Sequence, residues 1–252
     1  MRIVVKIGTS LIAPRGRIDT TRLRSVVDQL DLSQHQYLIV TSGAIASGIS
    51  SLDLAERPSN VPAMQACAAV GQSQLMHTYE QLFFGKKVVA QLLLSSDDFT
   101  SPVRYRNLQN TLAQLLRLGV VPIVNENDSV SVRELVGAFG DNDELSALLA
   151  TATKADWLLL LTDVDGFYIP NGRRHPRLLR TIKRLTPAME RLCNGQSKLG
   201  TGGMLSKLRA AGLASESGVH VAIVNGRHPH AIAWALQRKI GTYFPPQRKR
   251  KP

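Results

Sequence analysis

Apolar residues in this chain gather in short unbroken runs with longer mixed segments between them. The runs read RIVVKI (2–7), QYLIVT (36–41), KVVAQLLL (87–94), VVPIV (120–124), WLLLLT (157–162) and VHVAIV (219–224). They are rich in Val, Ile and Leu and lack the polar alternation of a half-solvated strand, which predicts parallel strands buried on both faces. The segments between them predict helices at about 20–30, 61–84, 103–118, 142–152, 204–217 and 229–238. Strands alternating with helices give an α/β sandwich. The least hydrophobic interval, Ile169 to Gly203, carries Gly, Pro and many basic residues between two buried strands. It reads either as an excursion over a site or as a plain surface loop.

The bulk numbers narrow the function classes. At 252 residues with 44 % hydrophobic and 20 % charged content, the chain can bury a full core. No apolar run approaches the roughly 20 residues of a membrane span. The apolar core of the first ten residues, MRIVVKIGTS, is too short for a signal peptide, so a cytoplasmic location is expected. Cys67 and Cys193 stand far apart without a ligand pattern, and both are expected to be buried small hydrophobes. The net charge is +12, of which the tail QRKRKP supplies four. The remaining excess favours a polyanionic ligand without choosing between RNA and a nucleotide.

In open α/β sheets, ligands gather at the carboxyl ends of strands, and in this chain those ends are unusually polar or glycine-rich. Lys6 lies inside a strand and is followed by Gly8, Thr9 and Ser10. That is either a phosphate cradle of one cation and close N–H groups or an edge-strand lysine reaching water. Ser42 and Gly43 follow the second strand, where a hydroxyl can donate to a carboxylate or small residues simply pack a helix. The stretch NENDSVSVRELVGAFGDNDE (125–144) holds six of the nineteen acidic residues. Asp141, Asn142 and Asp143 have an ordinary explanation as helix-start residues, but Asn125 to Asp128 end a strand. Carboxylates converging there suit an ammonium or Mg²⁺, and neighbouring amides and helix N–H groups suit a carboxylate. Thr162 and Asp163 end a fifth run, reading as a turn or a nucleotide contact. The segment GTGGMLSK (200–207) exposes N–H groups at a helix start with Lys207 one turn in. It serves a phosphoryl group or acts as a hinge.

Taken in order, KIGTS, VTSGAIASG, AAVGQS, NEND, GDNDELSA, LLLLTDVDGFY and GTGGMLSK resemble the amino acid kinase family. The likeness is strongest to those members that phosphorylate the side-chain carboxylate of L-glutamate, and it runs over nearly the whole chain. It implies a three-layer αβα sandwich with a mainly parallel central sheet, in one domain. A substrate lobe at about 1–150 and a nucleotide lobe at about 151–252 are expected, without the additional carboxy-terminal RNA-binding-type domain of many members.

The implied reaction transfers the γ-phosphoryl group of ATP, with Mg²⁺, to glutamate as the first step of proline synthesis. By this resemblance Ser42, Asp128 and Asn142 hold glutamate. ATP meets Lys6, Thr162, Asp163 and the segment Thr201, Gly202, Gly203, Met204, Leu205, Ser206 and Lys207. Lys6 and Lys207 are catalytic, and Asp141 and Asp143 are supporting positions near substrate or Mg²⁺. A homo-oligomer and a coupled glutamyl phosphate reductase are further implications, with neither membrane nor nucleic acid as partner. Two alternatives stay open: a family member acting on aspartate or an acetylated amino acid, and a non-catalytic basic RNA-binding protein on the same fold.

Overall fold

The computed structural model describes residues 1–14, 17–130, 142–172, 174–193 and 203–247. In chain order the elements are β1 (Arg2–Ile7), α1 (Thr9–Ile12), α2 (Thr20–Val27), β2 (Gln36–Val40), α3 (Ala44–Ser51), α4 (Val61–Phe83), β3 (Val89–Leu94), α5 (Asp97–Thr100), α6 (Pro102–Arg117) and β4 (Val121–Glu126). There follow α7 (Asn142–Ala152), β5 (Trp157–Thr162), β6 (Tyr168–Asn171), β7 (Arg174–Leu178), α8 (Pro187–Leu192), α9 (Met204–Glu216), β8 (His220–Asn225), α10 (Ala231–Leu236) and β9 (Thr242–Phe244). All six apolar runs become strands, and each expected helix is present with ends shifted by a few residues.

Seven strands form one sheet in the order β3-β4-β2-β1-β5-β8-β9, parallel except for β9, which runs antiparallel to β8. β1 is paired on both sides, to β2 and to β5. Because side chains alternate across a strand, the odd residues Ile3, Val5 and Ile7 enter one core with Leu75, Tyr79 and Phe83 of α4. The even residue Val4 enters the other, with Leu112 of α6, Leu149 of α7 and Leu208 of α9. Helices therefore cover both faces, giving three layers. The same alternation puts Lys6 on the α7 and α9 face, near the carboxyl edge of the sheet.

Helix starts follow local chemistry. Asp19 accepts from the Arg22 amide at 2.9 Å and Asn60 from the Ala63 amide at 2.9 Å, each satisfying a donor that the first helical turn leaves open. At the end of β2 the chain turns through Gly43 with φ +101°, a conformation that side chains with a Cβ resist. The helix α3 that follows then crosses α4 at very close range. A Cβ on Gly71 would lie 1.9 Å from the Ala44 carbonyl oxygen, and one on Gly48 1.8 Å from that of Cys67. This crossing sets how near α4 stands to the carboxyl ends of β2 and β4.

The structure adds elements that the apolar pattern did not disclose. Helix α3 is built of AIASGISS, too small-chained for a strong amphipathic signal. Part of the basic interval is regular: β6 and β7 form a separate two-stranded sheet, and Thr186 caps α8. Both prolines of that hairpin, Pro170 and Pro176, are tolerable because a two-stranded ribbon has free edges. Residues 194–202 of the interval lie outside the described residues. Cys67 is buried as expected, but Cys193 is only half-buried beside the exposed end of α8. Among the described residues no helix is long and apolar enough to cross a membrane.

Two glycine-to-alanine changes test the packing in opposite directions. Gly71→Ala forces the α3 and α4 backbones apart and lowers stability by about 1–3 kcal/mol, as overpacking does. Gly212→Ala, in α9, meets only the Leu185 side chain at 3.8 Å, and it gains up to about 1 kcal/mol of helix propensity. Denaturant midpoints of the two variants should move to opposite sides of the parent's.

Candidate functional site

Side chains of opposite charge meet at the carboxyl edge of β1. Lys6 is 3 % exposed and Lys207 6 %, and Asp143 between them is fully buried. The Lys6 ammonium lies 2.7 Å from Asp143 Oδ1 and the Lys207 ammonium 3.1 Å from Asp143 Oδ2. Ser206 Oγ donates to the same Oδ2 at 3.1 Å. The edge-strand reading of Lys6 is thereby excluded: its strand is central, and its charge is met by a carboxylate rather than by water. Three positions far apart in sequence are joined because β1 supplies one cation, the first turn of α9 supplies the other, and the first turn of α7 supplies the anion. Burying charges is costly unless they are paired and hydrogen-bonded, and this trio leaves a formal net charge of +1.

The neighbour of Asp143 serves a second contact. Asn142 Nδ2 donates to Ser42 Oγ at 3.2 Å, with both side chains buried. Asn142 Oδ1 is buried with no hydrogen-bond partner among the described residues. The backbone around Ser42 is held from α4: Tyr79 donates its phenol to Thr41 Oγ1 at 2.8 Å, and Thr41 donates to the Ser42 carbonyl at 3.2 Å. Burial pushes the Tyr79 phenol well above its ordinary range, against the opposing hydrogen bond with Thr41. It therefore stays protonated and keeps donating.

Asp128 lies in a cavity of about 280 Å³ between α3, α4 and the ends of β3 and β4. Glu126, Asn127 and Ser129 line it from the same strand end. Ala44, Ala68 and Gln72 line it from the helices, and Gln91 and Leu93 from β3. Glu126 and Asp128 are both buried. The strand-end half of the acidic stretch therefore faces a cavity rather than a helix terminus.

A third group lies across β1 at the end of β5. Ser10 Oγ donates to Asp163 Oδ1 at 3.0 Å, and Thr162 Oγ1 donates to the same oxygen at 3.2 Å. Beyond it, Asn225 Nδ2 donates to Asp165 Oδ1 at 2.8 Å, and the Tyr168 phenol donates to Asp165 Oδ2 at 3.2 Å. Gly203 caps α9 without a side-chain bond, so the first-turn N–H groups of Met204, Leu205 and Ser206 face the end of the helix that holds Lys207. Met204, Leu205 and Ser206 are half-buried there. Thr201, Gly202 and Asp141 lie outside the described residues.

Sequence reasoning gave Asp143 only a supporting role, because an acid in a first helical turn is so readily explained by capping. It gave Gln72 no role and took Asn125 only as one of the strand-end amides. Asn125 Nδ2 donates to Gln72 Oε1 at 2.9 Å in a buried contact, and only tertiary packing brings α4 to the end of β4.

Comparison with known proteins bears on the family and the fold. The model of the amino acid kinase family matches residues 1–225. Glutamate 5-kinase of Geobacter sulfurreducens is 44 % identical over 97 % of this chain and 68 % of its own length. Glutamate 5-kinase of Clostridium acetobutylicum is 43 % identical over 98 % of this chain and 96 % of its own. Among solved structures, carbamate kinase from Giardia lamblia bound to AMP-PNP superposes with a TM-score of 0.66 at 17 % identity, covering 97 % of this chain and 98 % of that one. That likeness speaks for the fold. With the family match spanning residues 1–225 and relatives alike over almost the full chain, this chain belongs to the amino acid kinase family.

Proposed function

We propose that the protein phosphorylates the side-chain carboxylate of L-glutamate from ATP, giving L-glutamyl 5-phosphate and ADP, the first step of proline biosynthesis. The observation that carries the reading is the buried Lys6–Asp143–Lys207 trio at the carboxyl edge of the sheet, in a chain more than 40 % identical to named glutamate 5-kinases. In this reading Ser42, Asp128 and Asn142 hold glutamate. Lys6, Thr162, Asp163 and the start of α9 hold ATP. The substrate side is then built by about residues 1–150 and the nucleotide side by the remainder.

The chemistry needs no general base. A γ-carboxylate is ionised at neutral pH, so one of its oxygens attacks the γ-phosphorus directly, and the bond from that phosphorus to the β,γ-bridging oxygen breaks. ADP leaves with the electron pair. Catalysis then rests on positioning and on neutralising the charge of the transferring group. Lys6 and Lys207 supply that neutralisation, one approaching from the sheet and one from α9. Asp143 holds two mutually repelling ammonium groups at fixed positions, so they need not reorganise as charge develops. The donor chemistry suits Mg²⁺, which keeps most of its waters and binds through substrate phosphates and one or two carboxylates. Asp163, half-buried at the end of β5, is the carboxylate placed to help hold it, since Asp143 is engaged by both lysines and Ser206. When bound, the ion screens the negative charge of the phosphate chain. The product is a labile acyl phosphate, so this reading carries with it a reductase that consumes it, and a homo-oligomer remains its expected form.

The test is ATP consumption with L-glutamate, L-aspartate, N-acetyl-L-glutamate and carbamate in parallel, any acyl phosphate being trapped as its hydroxamate. Glutamate should be the preferred acceptor, and turnover of another acid with none of glutamate overturns the assignment. Lys207→Ala should lower kcat by about a hundredfold or more, as loss of a transition-state donor does, with little change in the glutamate KM. Unchanged turnover would remove Lys207 from the mechanism. Asp128→Asn should raise the glutamate KM by about tenfold or more and leave the ATP KM within about twofold, measured by varying each substrate at saturation of the other.

A further inference from the structure

Gln72 combines deep burial, a fixed orientation and a place in the cavity that holds Asp128. It is 8 % exposed, lines that cavity from α4 and is bonded to Asn125. The direction in which its amide points follows from a backbone group. The Glu126 N–H donates to Asn125 Oδ1 at 3.0 Å, and a peptide N–H can only donate. Asn125 Oδ1 is therefore fixed as the acceptor, which leaves Asn125 Nδ2 to donate. The atom of Gln72 that meets it at 2.9 Å must be the carbonyl Oε1. The other end of the planar amide, Nε2 with its two donors, has no hydrogen-bond partner among the described residues. Gln72 lines an open cavity, so a ligand that fills it must offer those donors an acceptor, and among the cavity's other polar groups stand two carboxylates, Glu126 and Asp128.

From this we infer that Gln72 is a specificity-determining residue that binds the α-carboxylate of the acceptor through Nε2, with Asn125 as its positioning residue. The inference rests on the reading of glutamate as substrate. An amino acid carries its ammonium and α-carboxylate on one carbon, so the partners of both must line one cavity. Asp128 and Glu126 match the ammonium, and Gln72 supplies N–H donors in that same cavity. The γ-carboxylate is left to reach toward the two lysines. Tying the amide to a backbone N–H costs flexibility in the free protein and spares it on binding. The close α3–α4 crossing at Gly71 bears directly on this placement, because Gln72 is the next residue.

The test pairs two acceptors that differ only at the α-carbon substituent: L-glutamate and L-isoglutamine, whose α-carboxylate is a neutral carboxamide. The unmodified protein should prefer glutamate by about tenfold or more in kcat/KM, since a site built around a charged group rejects its neutral analogue. Gln72→Glu keeps the shape and the acceptor for Asn125 but puts a negative oxygen where the donors were. It should raise the glutamate KM by about tenfold or more, leave the isoglutamine KM within about threefold or lower it, and leave the ATP KM unchanged. Gln72→Met, which removes the donors without adding charge, should narrow the preference without reversing it. A purely structural tie between α4 and β4 would change both acceptors alike, so an unaltered glutamate-to-isoglutamine ratio in both variants overturns the inference while the glutamate kinase reading stands. No glutamate turnover by the unmodified protein overturns both.

Discussion

Two lysines on one buried carboxylate form the constraint around which this molecule is arranged. Lys6 and Lys207 cannot share a dry site without an anion between them, and Asp143 provides it within 2.7 and 3.1 Å. Each of the three sits where the fold permits little choice. Lys6 is fixed by the alternation of a central strand, Asp143 by the first turn of α7 and Lys207 by the first turn of α9. Two helix N-termini aimed at the same edge add their partial positive charge, suiting the spot to a transferring phosphoryl group. A protein of net charge +12 thus brings two buried cations together and sets Asp143 between them.

The acidic stretch from Asn125 to Glu144 divides along the same logic. Its first part ends β4 and faces the cavity, where Glu126 and Asp128 create a negative environment suited to an ammonium group. Its second part begins α7, where Asn142 turns to Ser42 and Asp143 to the lysines. In the proposed reaction one segment would serve both the acceptor and the phosphoryl side, through adjacent residues of a single helix turn. The hydrogen-bond chain from Tyr79 through Thr41 and the Asn125–Gln72 pair brace the Ser42 backbone and the cavity from α4. That long helix acts as a buttress behind the cavity.

What the sequence by itself determined is the layout that depends on local physics. Buried parallel strands need both faces apolar, so RIVVKI and WLLLLT announced themselves, and polar residues clustered at their carboxyl ends marked the side on which ligands bind. Lys6, Ser42 and Asp128 stood out as candidates for that reason and Asn142 and Lys207 by their place at helix starts, while the role of each came only from the family resemblance. Short or low-contrast elements were not. β9 is three residues long, α3 is made of small residues, and the β6–β7 hairpin has no buried face to impose a pattern. What only the tertiary structure decided is which side chains meet. Asp143 looked like a capping residue until α7 packed against β1 and α9, and Gln72 looked like one polar position on a helix until the glycine crossing brought it to Asn125. Pairings across 53 or 64 residues arise from how layers stack, and layer stacking leaves no local period in the chain.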